Sequence, residues 1–389
     1  MYARIANLLK SHHFFLFGAR GTGKTTYLDN LFLNQKNCLK IDLLDWELEE
    51  RYAKGSSLLI EEIESKKEIK YVIIDEIQKI PKLLDTIHQY IQKNKNKKIF
   101  ILTGSSAKKL KHGGGNLLAG RAFVYYLFPL TFLELGTDFR LDTYLQMGGL
   151  PEVYSFNNNK IMQLKFLKTY SHTYLKEEIW AEHFIKNLDP FRKFLELAAA
   201  ANGEIINYSK MARQIGVDTK TVQSYFQLLE ETLIAFIIEP FSTSIRKRLI
   251  KSSKFYFFDL GVKRALEQTL SIELLPQTFA YGKAFEHFII TQIIYLIHYL
   301  ENDFSLYYLK TEAGVEIDLI LQKPSRELLL IEIKSTKEVM NEDIKSLCEI
   351  HADLPKSKAY LLSLDKISRK IKTVHCLHWQ EGIKKILNC

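Results

Sequence analysis

The sequence predicts an α/β chain: a parallel sheet covered by helices, then a helical middle with two short strands, then a second α/β domain. Three observations predict it. Apolar strands alternate with helical segments up to about residue 135. Between about 190 and 260 the rhythm changes to three short helices and two strands. Beyond 280 a helix leads into an apolar hairpin that carries acidic residues.

The first strand, Phe14–Phe17, runs directly into Gly18-Ala19-Arg20-Gly21-Thr22-Gly23-Lys24-Thr25-Thr26. This is GxxxxGKT between a strand and a helix, the context in which it forms a phosphate-binding loop. Gly18, Gly21 and Gly23 allow the tight turn that points successive N–H groups at phosphates. The helix expected over Lys24–Leu33 aims its positive end at them. Lys24 suits the β- and γ-phosphates of ATP, and the Thr25 hydroxyl suits Mg²⁺.

Two further strands, Cys38–Leu43 and Tyr71–Asp75, come next, and the second ends in the pair Asp75-Glu76. A buried parallel strand delivers its C-terminal end to the ligand. Asp75 suits the magnesium shell, directly or through water, and Glu76 suits the polarising of an attacking water. A helix over Lys82–Lys93 precedes the strand Ile99–Thr103, which leads into Gly104-Ser105-Ser106. Thr103 and Ser105 are hydroxyls for sensing the γ-phosphate or holding the water. The basic stretch Lys108–Gly115 follows, then Arg121 at the start of the strand Ala122–Leu127. Arg121 is placed to stabilise γ-phosphate charge in cis or from a neighbouring subunit, although an ordinary surface arginine reads the same way.

The span 140–185 reads as helical, broken by a sharp turn at Gly148-Gly149-Leu150-Pro151. Helices are expected over Phe191–Ala201, Tyr208–Ile215 and Asp218–Leu233, with Asp218 or Thr219 as N-cap of the third. Strands Ile234–Pro240 and Lys254–Asp259 complete a winged helix-turn-helix outline. The third helix is expected to bury Val222, Tyr225 or Phe226, and Leu229, and to expose Thr219, Lys220, Gln223 and Gln227. Between the strands, Arg246 to Lys254 holds five basic residues in nine, a wing suited to a phosphate backbone or simply to solvent.

Glu286 falls in a helix beginning near Gly282. Glu316–Leu321 is a strand, Lys323–Arg326 a turn and Leu328–Lys334 the returning strand. Glu332 and Lys334, two apart, share one face, with Asp318 across the hairpin. Two carboxylates and a lysine on one strand pair suit a divalent cation and water activation against a phosphodiester, which is a nuclease-type arrangement.

Across these motifs the chain resembles the prokaryotic AAA-type, archaeal-ATPase-like P-loop ATPases that carry a C-terminal domain of unknown function with a PD-(D/E)xK nuclease-like core. The matching stretches are GARGTGKTT, VIIDEIQKIP, ILTGSS, LLAGR, FPLTFLEL, GGLPEVY, FYFFDLGV, GKAFEHFI, VEIDLIL and LIEIKST. The resemblance implies a P-loop ATPase over 1–135, a helical connector over 136–190, a winged helix-turn-helix over 191–260 and a restriction-endonuclease-like domain over 261–389. It fills the metal positions Glu286, Asp318 and Glu332 and the catalytic Lys334, and it names no substrate.

Composition agrees. The 389 residues, 47% hydrophobic and 12% aromatic, fill two or three domains. Lys and Arg number 54 against 45 Asp and Glu, a net +9 that suits double-stranded DNA or another acidic surface. Cys38, Cys348, Cys376 and Cys389 are scattered, which argues against a zinc site or a disulfide frame. His375-Cys376-Leu377-His378 is the one metal-like cluster and reads as a strand or loop. With no signal peptide visible and Phe288–Leu300 too short to span a bilayer, the sequence predicts a cytoplasmic chain. Two functions compete: an ATP hydrolase controlling a DNA-acting effector, alone, as a homo-oligomer or with a partner protein, and a nucleotide-switched scaffold with a silent nuclease fold.

Overall fold

The structure is a computed structural model that describes residues 2–33, 37–94, 98–105, 118, 120–174, 188–242, 252–312 and 314–389. These fall into two compact units: the chain up to Leu130 together with Leu228–Ile234, and Thr131–Gln227 together with Ala235–Cys389.

In the first unit, β1 (His13–Phe17), β2 (Cys38–Asp42), β3 (Tyr71–Asp75), β4 (Ile99–Gly104) and β5 (Ala122–Tyr126) form one sheet in the order β2-β3-β4-β1-β5. Every pairing is parallel. All five residues of β1 and of β3, and all six of β4, are buried, as continuous apolar runs covered on both faces require. Phe15, Phe17, Val72, Ile74, Phe100 and Leu102 pack with Leu59, Ile63 and Ile87 from the covering helices. Each such side chain contributes about 1.5–3 kcal/mol on leaving water. The helix after the phosphate-binding loop is α-helical over Lys24–Leu28 and continues as a wider π-turn over Asp29–Leu33. Two helices that the sequence pattern did not reveal, Trp46–Lys54 and Ser57–Ser65, follow β2. Asp45 caps the first of them, its Oδ1 accepting from Glu47 N at 2.9 Å.

In the second unit, helices Leu141–Met147, Pro151–Ser155 and Lys160–Thr169 flank the expected turn at Gly148. Gly148 has φ 75°, and a Cβ there would lie 2.2 Å from Asp259 Oδ1, so only glycine fits. Asp259 accepts from Val262 N at 3.0 Å, capping Leu260–Leu266, and from Gly149 N at 2.6 Å.

Helices Leu188–Ala200, Tyr208–Ile215 and Thr219–Glu231 lead into β6 (Ala235–Pro240) and β7 (Lys254–Phe257), which pair antiparallel. On the third helix Val222, Tyr225, Phe226 and Leu229 are buried, while Thr219, Lys220, Gln223 and Gln227 are exposed. Asp218 supplies the cap, accepting from Thr221 N at 2.8 Å.

The strand pair β6-β7 does not stand free. Glu239 and Pro240 of β6 pair in parallel with Tyr307 and Tyr308 of β8 (Ser305–Lys310). Among the described residues the sheet has eight strands, in the order β12 (Arg369–Ile371), β13 (Val374–His378), β11 (Ser357–Ser363), β10 (Leu328–Lys334), β9 (Glu316–Gln322), β8, β6, β7. The basic stretches Lys108–Gly115 and Arg246–Lys251, and Ala119, lie outside the described residues. Lys254 does not: only 2% exposed, it is a buried cation and not part of a solvated or DNA-facing wing.

The helix Phe279–Tyr299, capped by Thr278, crosses the sheet and is buried over most of its circumference. The hairpin β9 (Glu316–Gln322) and β10 (Leu328–Lys334) pairs Leu328 with Gln322 through to Ile331 with Leu319. β11 (Ser357–Ser363), β12 (Arg369–Ile371) and β13 (Val374–His378) complete the sheet. The His375–His378 cluster is thus a strand, with His375 stacked on Tyr360 at 5.4 Å. Among the described residues no helix is long and apolar enough to cross a membrane.

Candidate nucleotide-binding and carboxylate sites

The loop between β1 and the helix Lys24–Leu28 has the form that phosphates require. Gly21 and Gly23 take φ of 78° and 88°, in the left-handed region open to glycine. A Cβ on Gly18 would meet Leu127 O at 2.3 Å, so this position too excludes a side chain. Gly23 is the N-cap and no side chain caps the helix, which leaves first-turn N–H groups for an anion. Lys24, 6% exposed, folds back to donate to Gly18 O at 2.7 Å and Ala19 O at 3.3 Å. The ammonium thus occupies the loop's own carbonyls, a position from which a phosphate can draw it. Thr22, buried, fastens the loop by donating to Ala19 O at 2.8 Å. Arg20 and Thr26 are exposed. Arg4, which the sequence reading did not single out, donates to Thr22 O at 2.9 Å and to Phe128 O at 2.5 Å, tying the N-terminal segment to the loop.

Asp75 and Glu76 arrive two strands away from β1, because β4 runs between. Thr25 Oγ1 nevertheless donates to Asp75 Oδ2 at 2.7 Å. Thr103 of β4 donates to the other oxygen, Asp75 Oδ1, and its own Oγ1 accepts from Glu76 N at 3.2 Å. Thr103, Asp75 and Thr25 therefore bridge β4, β3 and the loop. Glu76 adopts a left-handed φ of 57°, costly for a side chain of its type and found where surrounding structure enforces it.

Gln78 was not anticipated. Its Nε2 donates to Glu76 Oε2 and, at 3.2 Å, to Ser105 Oγ. Ser105 is thereby joined to Glu76. A Cβ on Gly104 would stand 2.4 Å from Gln78 Oε1, so the glycine makes room for the amide. A polar residue two positions after Glu76 was the available signal, but its direction is set by tertiary packing.

Arg121 does not join this cluster. β5 runs parallel to β1, with Ala122 beside His13 and Tyr126 beside Phe17, so Arg121 lies at the edge of the sheet opposite the loop. Its guanidinium is exposed and contacts His88 Nε2 at 2.8 Å. Of the placements that the sequence left open, strand direction sets Arg121 away from its own chain's loop.

The second constellation gathers in the C-terminal hairpin. Continuing the β9–β10 register sets Asp318 opposite Glu332, and Asp318 Oδ2 accepts from Ile333 N at 2.8 Å. Lys334 Nζ stands 2.8 Å from Glu332 Oε1. Glu332 Oε2 is buried and has no hydrogen-bond partner among the described residues. Burial, then Glu332 and Glu286, push the Asp318 carboxyl well above the usual carboxylate range. Burial raises Glu332 too, with Glu286 and Glu316 adding to it and Lys334 opposing. Burial works against the charge of Lys334, but Glu332 and Asp318 outweigh it and the net shift is upward.

Glu286, on the helix Phe279–Tyr299, accepts from Tyr256 Oη at 2.7 Å and lies 3.4 Å from Lys283 Nζ. No three His, Cys, Asp or Glu side chains converge as a metal-binding group among the described residues. The donor set is two crowded carboxylates with one orphaned oxygen. That fits a cation held by one or two carboxylates together with water and substrate oxygens, the usual protein setting of Mg²⁺.

Beside Lys334 opens a cleft of about 740 Å³, lined among others by Lys337, Lys366, His378, Phe279 and Asp343.

Three family models match successive stretches. One described as an AAA domain matches residues 10–136, one described as a domain of unknown function (DUF8612) matches 138–273, and one described as a domain of unknown function (DUF4143) matches 281–381. An uncharacterized protein of Mycobacterium tuberculosis is 25% identical over 258 residues, covering 66% of this chain and 56% of the relative. The match thus spans little more than half the length of that relative. An uncharacterized protein of Methanocaldococcus jannaschii is 27% identical over 384 aligned positions, covering 87% of this chain and 78% of the relative.

Among solved structures, AMPPCP-bound DnaA from Aquifex aeolicus matches at 14% identity and a TM-score of 0.26, covering 58% of this chain and 84% of that one. The Thermococcus gammatolerans McrB AAA+ hexamer with bound McrC matches at 11% identity and a TM-score of 0.21, covering 51% and 75%. Scores this low lie beneath correspondence of whole folds. The AAA-domain match and the loop geometry together support a P-loop ATPase fold for the N-terminal unit.

Proposed function

We propose that this chain is a Mg²⁺-dependent ATP hydrolase whose nucleotide cycle controls a nucleic-acid-acting centre in its C-terminal region. One observation carries the ATPase half: Thr25 Oγ1 meets Asp75 Oδ2 at 2.7 Å directly beside Glu76. Thr25 and Asp75 would hold the magnesium, which when bound supplies positive charge against the β- and γ-phosphate oxygens. Lys24 leaves the carbonyls of Gly18 and Ala19 for those oxygens. Glu76 accepts the proton of the attacking water, while Gln78 and Ser105 fix its carboxylate. Phosphate release that needs Mg²⁺ and is lost in Glu76→Gln tests this half.

The C-terminal half rests on Asp318, Glu332 and Lys334. The two carboxylates would hold a divalent cation, which when bound supplies charge to a phosphodiester oxygen. Lys334 offsets charge developing on the phosphate, and Glu286 stays in the surrounding shell, held by Tyr256 and Lys283. The three helices followed by β6-β7 support reading 191–260 as a winged helix-turn-helix that contacts double-stranded DNA through phosphates, with Arg246 and Arg248 as contacts. Cleavage of plasmid DNA by the purified chain, with and without ATP, tests the nuclease reading. Intact Mn²⁺ binding without cleavage would favour a nucleotide-switched scaffold. No membrane association is proposed, and Arg121, remote from its own loop, is assigned to a neighbouring subunit's nucleotide.

A further inference from the structure

Two residues of β7 reach into the carboxylate centre of the C-terminal hairpin. Lys254 and Tyr256, two apart and so on one face of the strand, are 2% and 1% exposed. Tyr256 Oη donates to Glu286 Oε1 at 2.7 Å. The Lys254 ammonium is ion-paired with Glu316 Oε1, and Lys310 holds the other oxygen of Glu316 at 3.1 Å. The stem of Lys254 lies by the ring of Tyr308, its ammonium 5.4 Å from the ring centroid. Burial works against the charge of Lys254, but Glu286, Asp318 and Glu316 outweigh it.

The Lys254 ammonium thus pairs directly with Glu316 and is attracted by Glu286 and Asp318, a cation that the chain itself provides beside these carboxylates. A buried ammonium shared by several carboxylates does electrostatically what a bound metal ion would do. It also comes from a segment of the chain outside the stretch that matches the C-terminal family model.

We propose that Lys254 is a resident cation of the carboxylate centre, placed by β7, and that a divalent cation binds there in competition with it. This inference rests on the reading of Asp318 and Glu332 as cation ligands. Lys334 does not substitute for Lys254, since it pairs with Glu332 and is itself half-exposed.

Manganese titrated calorimetrically into the full, nucleotide-free chain tests it, comparing the wild type with Lys254→Met, Lys254→Arg, Lys283→Met and Asp318→Asn. Lys254→Met should bind Mn²⁺ about tenfold tighter at an Asp318-dependent site, because a competing charge has gone. Lys254→Arg, which keeps the cation, should stay near the wild type. Lys283→Met removes an equal charge from the outer side of Glu286 and should gain far less. Unchanged or weaker binding by Lys254→Met, or an equal gain in Lys283→Met, overturns the resident-cation proposal and leaves the metal centre standing. No Asp318-dependent binding in any variant overturns the metal centre itself, and the proposal with it.

Should Lys254→Met fail to fold, hydrogen exchange on the wild type decides. Mn²⁺ should speed exchange of the amides of residues 254–257 as the ammonium is displaced. Unchanged or slowed exchange overturns the proposal.

Discussion

Thr25 and Asp75 stand fifty residues apart in the chain and meet at 2.7 Å between hydroxyl and carboxylate. Because β4 separates their strands, the contact exists only when β1, β4 and β3 are in register, and Thr103 of β4 supplies the second bond to Asp75. The hydroxyl–carboxylate pair proposed for magnesium is thus held in place by three elements.

Lys24→Ala should abolish ATP binding, since it removes the charge facing the phosphates. Glu76→Gln should keep binding and lose hydrolysis by about 10²–10⁴-fold, the range of a general base. Equilibrium binding of a fluorescent ATP analogue and single-turnover phosphate release separate the two. Equal hydrolysis by the wild type and Glu76→Gln would refute the assignment.

Gln78→Ala should lower kcat about tenfold with little change in KM, because Gln78 orients the carboxylate and does not touch nucleotide. Gly104→Ala should reproduce that loss, as its Cβ would sit 2.4 Å from Gln78 Oε1. The double variant should be no worse than either alone. Additive losses would mean that the two sites act separately.

Asp318→Asn should raise thermal stability in the absence of metal while erasing stabilisation by Mn²⁺. Burial and two neighbouring carboxylates make its charge costly, and an amide relieves that cost. Differential scanning calorimetry with and without Mn²⁺ reads both effects. A less stable variant that still responds to Mn²⁺ would count against the site.

Burial raises the Asp259 carboxyl from the ordinary range to about 6. The native state then keeps a proton that the unfolded chain releases, so this group's contribution to stability grows as pH falls through 6. Relative to Asp259→Asn, the wild type should gain about 1 kcal/mol between pH 7 and pH 5. Burial depresses His287 to about 3, so its contribution is lost as pH falls below its unfolded value near 6.5, the opposite sign. Both proteins carry His287, and it cancels in the comparison. Urea unfolding of both at pH 5, 6 and 7 measures the difference, and a pH-independent gap would contradict the shift.

Charge reversal of Arg246 and Arg248 to Glu should weaken DNA binding for all sequences alike and flatten its salt dependence. Fluorescence anisotropy on unrelated duplexes reads this. Unaltered affinity at low salt would exclude a phosphate contact there.

The sequence made β1, β3 and β4 legible because each is a buried apolar run bounded by turn residues, and the spacing of the phosphate-loop pattern led to the expectation that Thr25 and Asp75 lie at one site. Strand order was not legible. An apolar run records that it is covered on both faces and says nothing of its neighbours, so β4 between β1 and β3 had to be seen. The placement of Arg121 stayed open for the same reason, as it depends on which end of β5 faces the loop. Lys254 was misread because it ends a basic stretch, where local composition reads as solvated. Its partner Glu316 lies 62 residues later and leaves no local trace. Gln78 and Arg4 act through a carboxylate and a carbonyl that only the fold brings near.

The two-residue pairing of β6 with β8 bears on how such a chain can be divided and inherited. A piece starting near residue 281 would leave one side of β8 as a raw edge, open to association with its own copies. It would also strip the acidic hairpin of its ammonium and phenol, so measurements on that piece would describe a different electrostatic object. The stretches matched by the second and third family models are in this sense not interchangeable cassettes: a change of partner at one has to be accompanied by repair at the other.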